Sequence, residues 1–263
     1  MDEVVGLIPA AGSASRLGAL PCSKEIFPVG EVAGAQGEIR PKAVGEYLLE
    51  AMAGAGIQTA YIVLRDGKWD IPAYLGHGAW LGLDLAYLIA GLPYGTPYTL
   101  DQAYPFVSGR RVALGFPDIV FRPWEAFARL LHRQDRTGAE VVLGLFPAER
   151  PSKMDMVAID SHGRVTDIQI KPATTELRFT WIIAVWGPAF THYMHRYLAA
   201  HLERVRAGRF PQGGVAREPF VGDVVRAALD DGLEIQTVSF EQGECIDVGT
   251  LEDLAVASRR LRQ

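Results

Sequence analysis

Residues 4–30 read VVGLIPAAGSASRLGALPCSKEIFPVG. The run Val4 to Pro9 is short, apolar and ends in small residues, the pattern of a strand buried on both faces in the middle of a parallel sheet. Behind it, Ala10, Ala11, Gly12, Ser13, Ala14 and Ser15 carry little side-chain bulk. Their backbone N–H groups are therefore able to come close to a phosphate or a base. Arg16 follows with a fixed, forked charge suited to phosphate oxygens, and Lys24 with a more mobile one. A plain tight turn with two surface cations is the competing reading. The loop lacks a Walker Lys-Ser ending and the G-x-G-x-x-G spacing of a dinucleotide site.

Outward from this stretch, strands and helices alternate. A helix is expected over 43–56, with Val44, Leu48, Ala51 and Ala55 on one face and Gly56 as the C-cap. Strands follow at 59–64, 83–89 and 111–116, with a short helix at 99–107. A helix at 122–134 is expected to start at Pro123, before a strand at 140–146. Such alternation implies right-handed crossovers and a sheet covered on both sides. After about residue 150, MVAID and RVTDIQI read as an antiparallel hairpin, and FTWIIAVW (179–186) as another strand. Helices at 188–206 and 219–231, strands at 233–239 and 243–247, and a helix from Leu251 complete the reading. GEVAGAQGEIRP (30–41) is a hairpin, either a surface turn or a lid near the loop. The expectation is one α/β domain over 1–263 with a mainly parallel mixed sheet and an antiparallel addition.

Composition bounds the function. The chain has 263 residues, 49% hydrophobic and 22% charged, an ordinary globular balance. A net charge of −5 argues against a general nucleic-acid binder. No segment reaches the length of a membrane span, and acidic Asp2 and Glu3 do not start a signal peptide. Two distant cysteines, Cys22 and Cys245, fit thiols in a reducing cytoplasm. The expected location is cytoplasmic, with no nucleic-acid or membrane partner; a homo-oligomer stays open.

Two aspartates stand out. Asp118, in LGFPDIVF (114–121), follows a central apolar strand, where a carboxylate must be paired, bind a metal or cap a turn. Asp247, in ECIDVGTLEDL (244–254), ends another strand, either as a turn residue or as a ligand. Two such aspartates from opposite halves of the chain suit one Mg²⁺, which takes one or two carboxylates plus substrate phosphates and water.

In order, IPAAGSASRL with CSKEIFPVG, then GFPDIVF, IKP (170–172), EPFVGDVVRAALDDG (218–232) and DVGT (247–250) resemble the sugar-1-phosphate nucleotidyltransferases. That group includes glucose-1-phosphate thymidylyl- and uridylyltransferases. The resemblance covers nearly the whole chain, and the opening is its most specific part. It implies a Rossmann-like, glycosyltransferase-A-like domain that joins a nucleoside triphosphate, UTP or dTTP, to a sugar 1-phosphate, with nucleotide binding in about residues 1–145 and acceptor binding in about 146–263. It also implies roles. Ala11 to Ser15 line the triphosphate, Arg16 holds its β- and γ-phosphates, and Lys24 sits at the α-phosphate. Asp118 and Asp247 hold Mg²⁺. Lys171 binds the acceptor phosphate, Gly144 and Trp181 belong to the acceptor pocket, and the base lies near Tyr94 and Thr99.

The sequence departs from the family pattern at Ala14, at Ile170 in place of a sugar-binding glutamate, at Asp155 in place of a glycine, and at Val248 in place of a threonine. Phosphate-side cations and metal carboxylates persist while sugar-side positions change, which points to an altered acceptor pocket. Trp181, Trp186 and Arg178 lie in the region expected to face it. A cytidylyl- or guanylyltransferase with another acceptor, or a non-catalytic nucleotide-sugar-binding protein, are the alternatives. None of the six histidines is needed for the chemistry; His192 and His195 read as surface or packing residues.

Overall fold

The computed structural model describes residues 3–12, 17–33, 37–91, 94–207 and 218–261. The opening strand, β1 (Val4–Ala10), runs between β4 (Thr59–Leu64) and β6 (Arg111–Leu114) and is parallel to both. Beyond β4 lies β5 (Asp84–Ile89), again parallel. Side chains alternate along β1: Val5 and Leu7 join one core cluster, Ile8 and Ala10 the other. The strand is thus buried on both faces, which is why it reads as a continuous apolar run. One face is covered by α1 (Val44–Gly54) and α5 (Ala126–Thr137), the other by α3 (Thr96–Asp101), α6 (Pro188–Arg206) and α7 (Val221–Asp230).

The second half of the chain extends the same sheet. Strand β11 (Phe179–Trp186) is antiparallel to β6 on one side and to β8 (Val141–Pro147) on the other. Its early residues also meet the hairpin of β9 (Asp155–Ile159) and β10 (Val165–Ile170), through Thr180 and Met156. Strand β12 (Ile235–Ser239) adds to β8 in parallel, completing nine strands among the described residues. The division drawn near residue 145 falls inside β8, and the sheet runs unbroken across it.

Two small ribbons sit apart from this sheet. β2 (Pro28–Ala33) and β3 (Ile39–Ala43) form the hairpin expected over 30–41. β7 (Ile119–Arg122) and β13 (Glu244–Asp247) pair antiparallel, joining the middle of the chain to its end. This second ribbon corrects the sequence reading, because residues 119–122 are drawn into a ladder and the following helix starts at Ala126 rather than at Pro123. The expected helix at 99–107 is two short ones, α3 and α4 (Tyr104–Val107). A short helix, α2 (Asp70–Leu75), went unread, and the last helix, α8 (Leu251–Arg260), starts where expected. Among the described residues, no helix is long and apolar enough to cross a membrane.

Candidate active site

The site lies beyond the carboxyl ends of the central parallel strands, where open α/β sheets bind ligands. Ala11 and Gly12 follow β1 there, and a side chain at Gly12 would enter open space. Ser13, Ala14, Ser15 and Arg16, the rest of the expected phosphate loop, lie outside the described residues. The chain is described again from Leu17, buried in the fold, and Lys24 opens a single 3-10 turn at Lys24–Ile26.

Lys24 and Asp118 form an ion pair in which both side chains are 18% exposed. Burial by itself lowers the pKa of Lys24, but Asp118, with Glu25 and Asp247, raises it above the ordinary lysine value. The ammonium therefore stays charged at neutral pH. Asp247 comes to the same place through the β7–β13 ribbon: it stands opposite Ile119, and the N–H of Val248 donates to the carbonyl of Asp118 at 2.8 Å. Burial and then the charge of Asp118 push the Asp247 pKa up to about 6, against the pull of Lys24 and Arg150.

The neighbours of this turn explain its wording. Val248, the threonine position of the family, is fully buried with Val29, Val44 and Leu254, where a methyl group packs without an unpaired hydroxyl. Thr250 is the N-cap of α8, accepting the N–H of Asp253 at 3.2 Å. The Asp253 carboxylate in turn holds Arg150 at 2.8 Å.

Among the described residues, no group of three or more His, Cys, Asp or Glu side chains is arranged to hold a metal. Two mutually repelling carboxylates, Asp247 at the end of β13 and Asp118 just before β7, are a hard-oxygen pair of the kind Mg²⁺ takes when substrate phosphates and water complete its shell. The donor set therefore fits the ion.

Two cavities flank the Lys24–Asp118 pair. One, of about 400 Å³, adjoins the opening loop and is lined by Gly18, Ser23, Lys24, Arg65 and Lys68 among others. Its wall is braced by Asp70, which accepts the N–H and the hydroxyl of Ser23 at 2.6 and 2.8 Å. A buried Lys68–Glu25 pair at 2.6 Å braces it further. The other cavity, of about 240 Å³, holds Asp118 and Asp247 together with Lys171, Trp181, Asp155 and Phe220. Cys245 also lines it, but burial pushes its thiol up to about 11, so it is an inert wall.

The acceptor-side residues separate here. Lys171 follows β10 with φ of 43°, a conformation uncommon for any residue bearing a Cβ and disfavoured before Pro172. Its Nζ lies 3.3 Å from the centre of the Phe220 ring. Trp181 is 7% exposed and lines the cavity, 6.1 Å from the Phe116 ring. Gly144 does not reach it: a Cβ there would stand 2.6 Å from Ile183, so the position serves the packing of β8 against β11. Trp186 is also in the core, its indole N–H donating to Thr191 at 2.9 Å. Arg178 is exposed beside Phe179, away from the cavity lining.

The two residues expected near the base lie within the α3 region. Thr99 is buried and its hydroxyl donates to the Gly95 carbonyl, whereas Tyr94 packs on Tyr98 and His201. Thr96, at the start of the same helix, is the one of the three that lines the cavity. His195 pairs with Asp101 and stacks on Tyr104, a packing role. Reading the sequence missed Lys153, Met154, Thr180, Phe220 and Val221 on the cavity wall, and Arg65 and Lys68 beside the loop. Asp155, on the same wall as the first five, was visible in the sequence through its exchange for the family's glycine.

The family model described as nucleotidyl transferase matches residues 5–263. A glucose-1-phosphate thymidylyltransferase of Streptomyces antibioticus is 25% identical over 214 residues, 81% of this chain and 56% of that protein. The low-salt glycan biosynthesis nucleotidyltransferase Agl11 of Haloferax volcanii is 24% identical over 258 residues, 97% of this chain and 65% of its own. The chain thus spans between half and two thirds of the length of these relatives. A UDP-glucose pyrophosphorylase solved with UDP-glucose superposes with a TM-score of 0.76 at 16% identity, over 99% of this chain and 98% of that one, a likeness of fold.

Proposed function

The chain belongs to the nucleotidyl transferase family, and from that premise we propose that it joins a nucleoside triphosphate to a sugar 1-phosphate, giving a nucleotide sugar and pyrophosphate. UTP or dTTP is the donor we favour. The observation that carries the reading is the Lys24–Asp118 pair, with Asp247 fixed beside it, standing between two cavities. Lys24 lines the cavity next to the opening loop, and its partner Asp118 lines the other. In this reading the first takes the triphosphate and the second the acceptor.

An oxygen of the acceptor phosphate attacks the α-phosphorus, and the bond to the β-phosphate oxygen breaks in line, the electron pair leaving with pyrophosphate. The attacking phosphate is already ionised at neutral pH, so no general base is needed. What the protein supplies is alignment of two anions that repel one another and neutralisation of charge as the bonds exchange. Lys24, kept protonated by its acidic neighbours, sits between donor and acceptor and offsets charge at the α-phosphate. Lys171 receives the acceptor phosphate, and Arg16 takes the departing end of the triphosphate. Asp118 and Asp247 would hold Mg²⁺, which supplies charge neutralisation at the phosphate oxygens when bound.

The test is pyrophosphate release by purified protein with Mg²⁺, each common nucleoside triphosphate and a panel of sugar 1-phosphates, with Asp118→Asn and Arg16→Ala as controls. Release that needs both substrates and disappears in the controls is the expected result. A nucleotide-dependent rise in melting temperature without release from any pair would turn the reading to a binding protein of the same fold.

A further inference from the structure

Among the described residues, Asp155 is the one carboxylate on the wall of the second cavity besides the Asp118–Asp247 pair. Three elements fix it. It opens β9 directly opposite Ile170, the residue before Lys171, so the carboxylate and the ammonium approach the cavity from neighbouring strands. Thr180 of β11, itself buried, donates its hydroxyl to the Asp155 carbonyl at 2.9 Å. On the third side, the Asp155 carboxylate stands over the first turn of α7: a Cβ at Gly222 would lie 2.2 Å from Asp155 Oδ2. Only glycine admits the carboxylate there, and the helix N-terminus favours its charge.

Trp181 lines the same cavity. It is more than nine-tenths buried, and its indole N–H has no hydrogen-bond partner among the described residues. A buried donor left unmade is costly unless a ligand takes it. The wall therefore offers a carboxylate, which accepts, and an indole N–H, which only donates. A hydroxyl, which both donates and accepts, satisfies the two; an ammonium, which only donates, leaves the indole unmet.

We propose that Asp155 determines specificity for the acceptor, accepting hydrogen bonds from hydroxyls of a sugar phosphate whose phosphate lies on Lys171, with the Trp181 N–H as the complementary donor. The carboxylate absent at Ile170 is thus supplied from the adjoining strand. This rests on the acceptor-side reading of the second cavity given above.

Direct binding keeps the two apart. Calorimetry with glucose, galactose, mannose and N-acetylglucosamine 1-phosphates is set against calorimetry with inorganic phosphate, for the wild type, Asp155→Asn and Trp181→Phe. Asp155→Asn is expected to weaken the preferred sugar phosphate at least tenfold and to leave inorganic phosphate unchanged or tighter, since a negative charge is removed. Trp181→Phe keeps the ring and deletes the donor. It should lose the same sugar phosphate selectively, and it serves as the second variant if Asp155→Asn does not fold. Equal weakening of inorganic phosphate and sugar phosphates overturns the proposal, as does unchanged binding in both variants or no sugar phosphate bound by the wild type. Selective loss without any pyrophosphate release would overturn the transferase reading and leave Asp155 in its role.

Discussion

Lys24 is the residue on which most of the proposed chemistry turns, and its charge is held by Asp118 and Asp247 across the ribbon. Lys24→Met is expected to lower kcat by about 10²- to 10³-fold, measured as pyrophosphate release at saturating substrates, with the melting temperature retained as a check on folding. Asp247 gives a second prediction at this scale. Its folded pKa, about 6, stands above the ordinary aspartate value of 3.8. The stability tied to this group is therefore full below the lower value and is lost as pH rises through the upper one. A cation bound by the ionised pair restores it. Millimolar Mg²⁺ should raise the melting temperature at neutral pH and have little effect below about pH 5, a difference that Asp247→Asn should abolish. Single letters carried much of this: a lysine behind a small-residue loop and two isolated aspartates at strand ends were visible, and so was Asp155. That Gly222 clears space for Asp155 was not, because the two positions meet only after β9 and α7 pack.

Among the elements, α1 is tied at its start by Glu46, whose side chain is wholly buried. Burial opposes its charge, but Arg40, the Ala43 N–H and Tyr74 outweigh that and hold its pKa below the ordinary value. Arg40 reaches it with two bonds, 3.0 and 2.8 Å, from the β2–β3 ribbon. Glu46→Gln is expected to cost about 2–4 kcal/mol in urea unfolding, since Arg40 loses its buried partner. The sign with pH is the reverse of that for Asp247. Glu46 stabilises the fold above its ordinary pKa of 4.5, and the gain is lost as pH falls below it, so the acid limb of stability should flatten in the variant. Gly144 on β8 separates packing from binding. Gly144→Ala forces its Cβ onto Ile183, an overpacking of about 1–3 kcal/mol, and should leave the KM for the acceptor unchanged. Element types were largely legible, because 59–64, 179–186 and 188–206 are long, uniform or strongly periodic stretches. The β7–β13 ribbon was half hidden: Ile119–Arg122 is a strand only because Glu244–Asp247 lies against it. That pairing takes Arg122 from the helix expected at 122–134, which starts instead at Ala126.

For the whole molecule, β11 is the joint between the parallel core and the antiparallel extension, with β6 on one flank and β8 on the other. Trp186 at its end is 1% exposed and packs on Phe190. Trp186→Ala should cost about 3–5 kcal/mol in denaturant unfolding, enough to loosen both halves in a single transition. The sequence by itself determined the class of fold, the order of nearly all strands and helices, and which residues have side chains chemically suited to phosphate or metal. Those properties follow from local periodicity and from side-chain chemistry, which a chain carries wherever it is folded. Tertiary structure alone decided the neighbours: Asp118 beside Asp247, Asp155 across from Ile170, Gly144 inside the sheet rather than in the pocket, and Thr99 closed within α3. Each is a contact between segments far apart in the chain or a choice of face. Register and packing fix these, and for the contacts between distant segments no single stretch of sequence contains both sides.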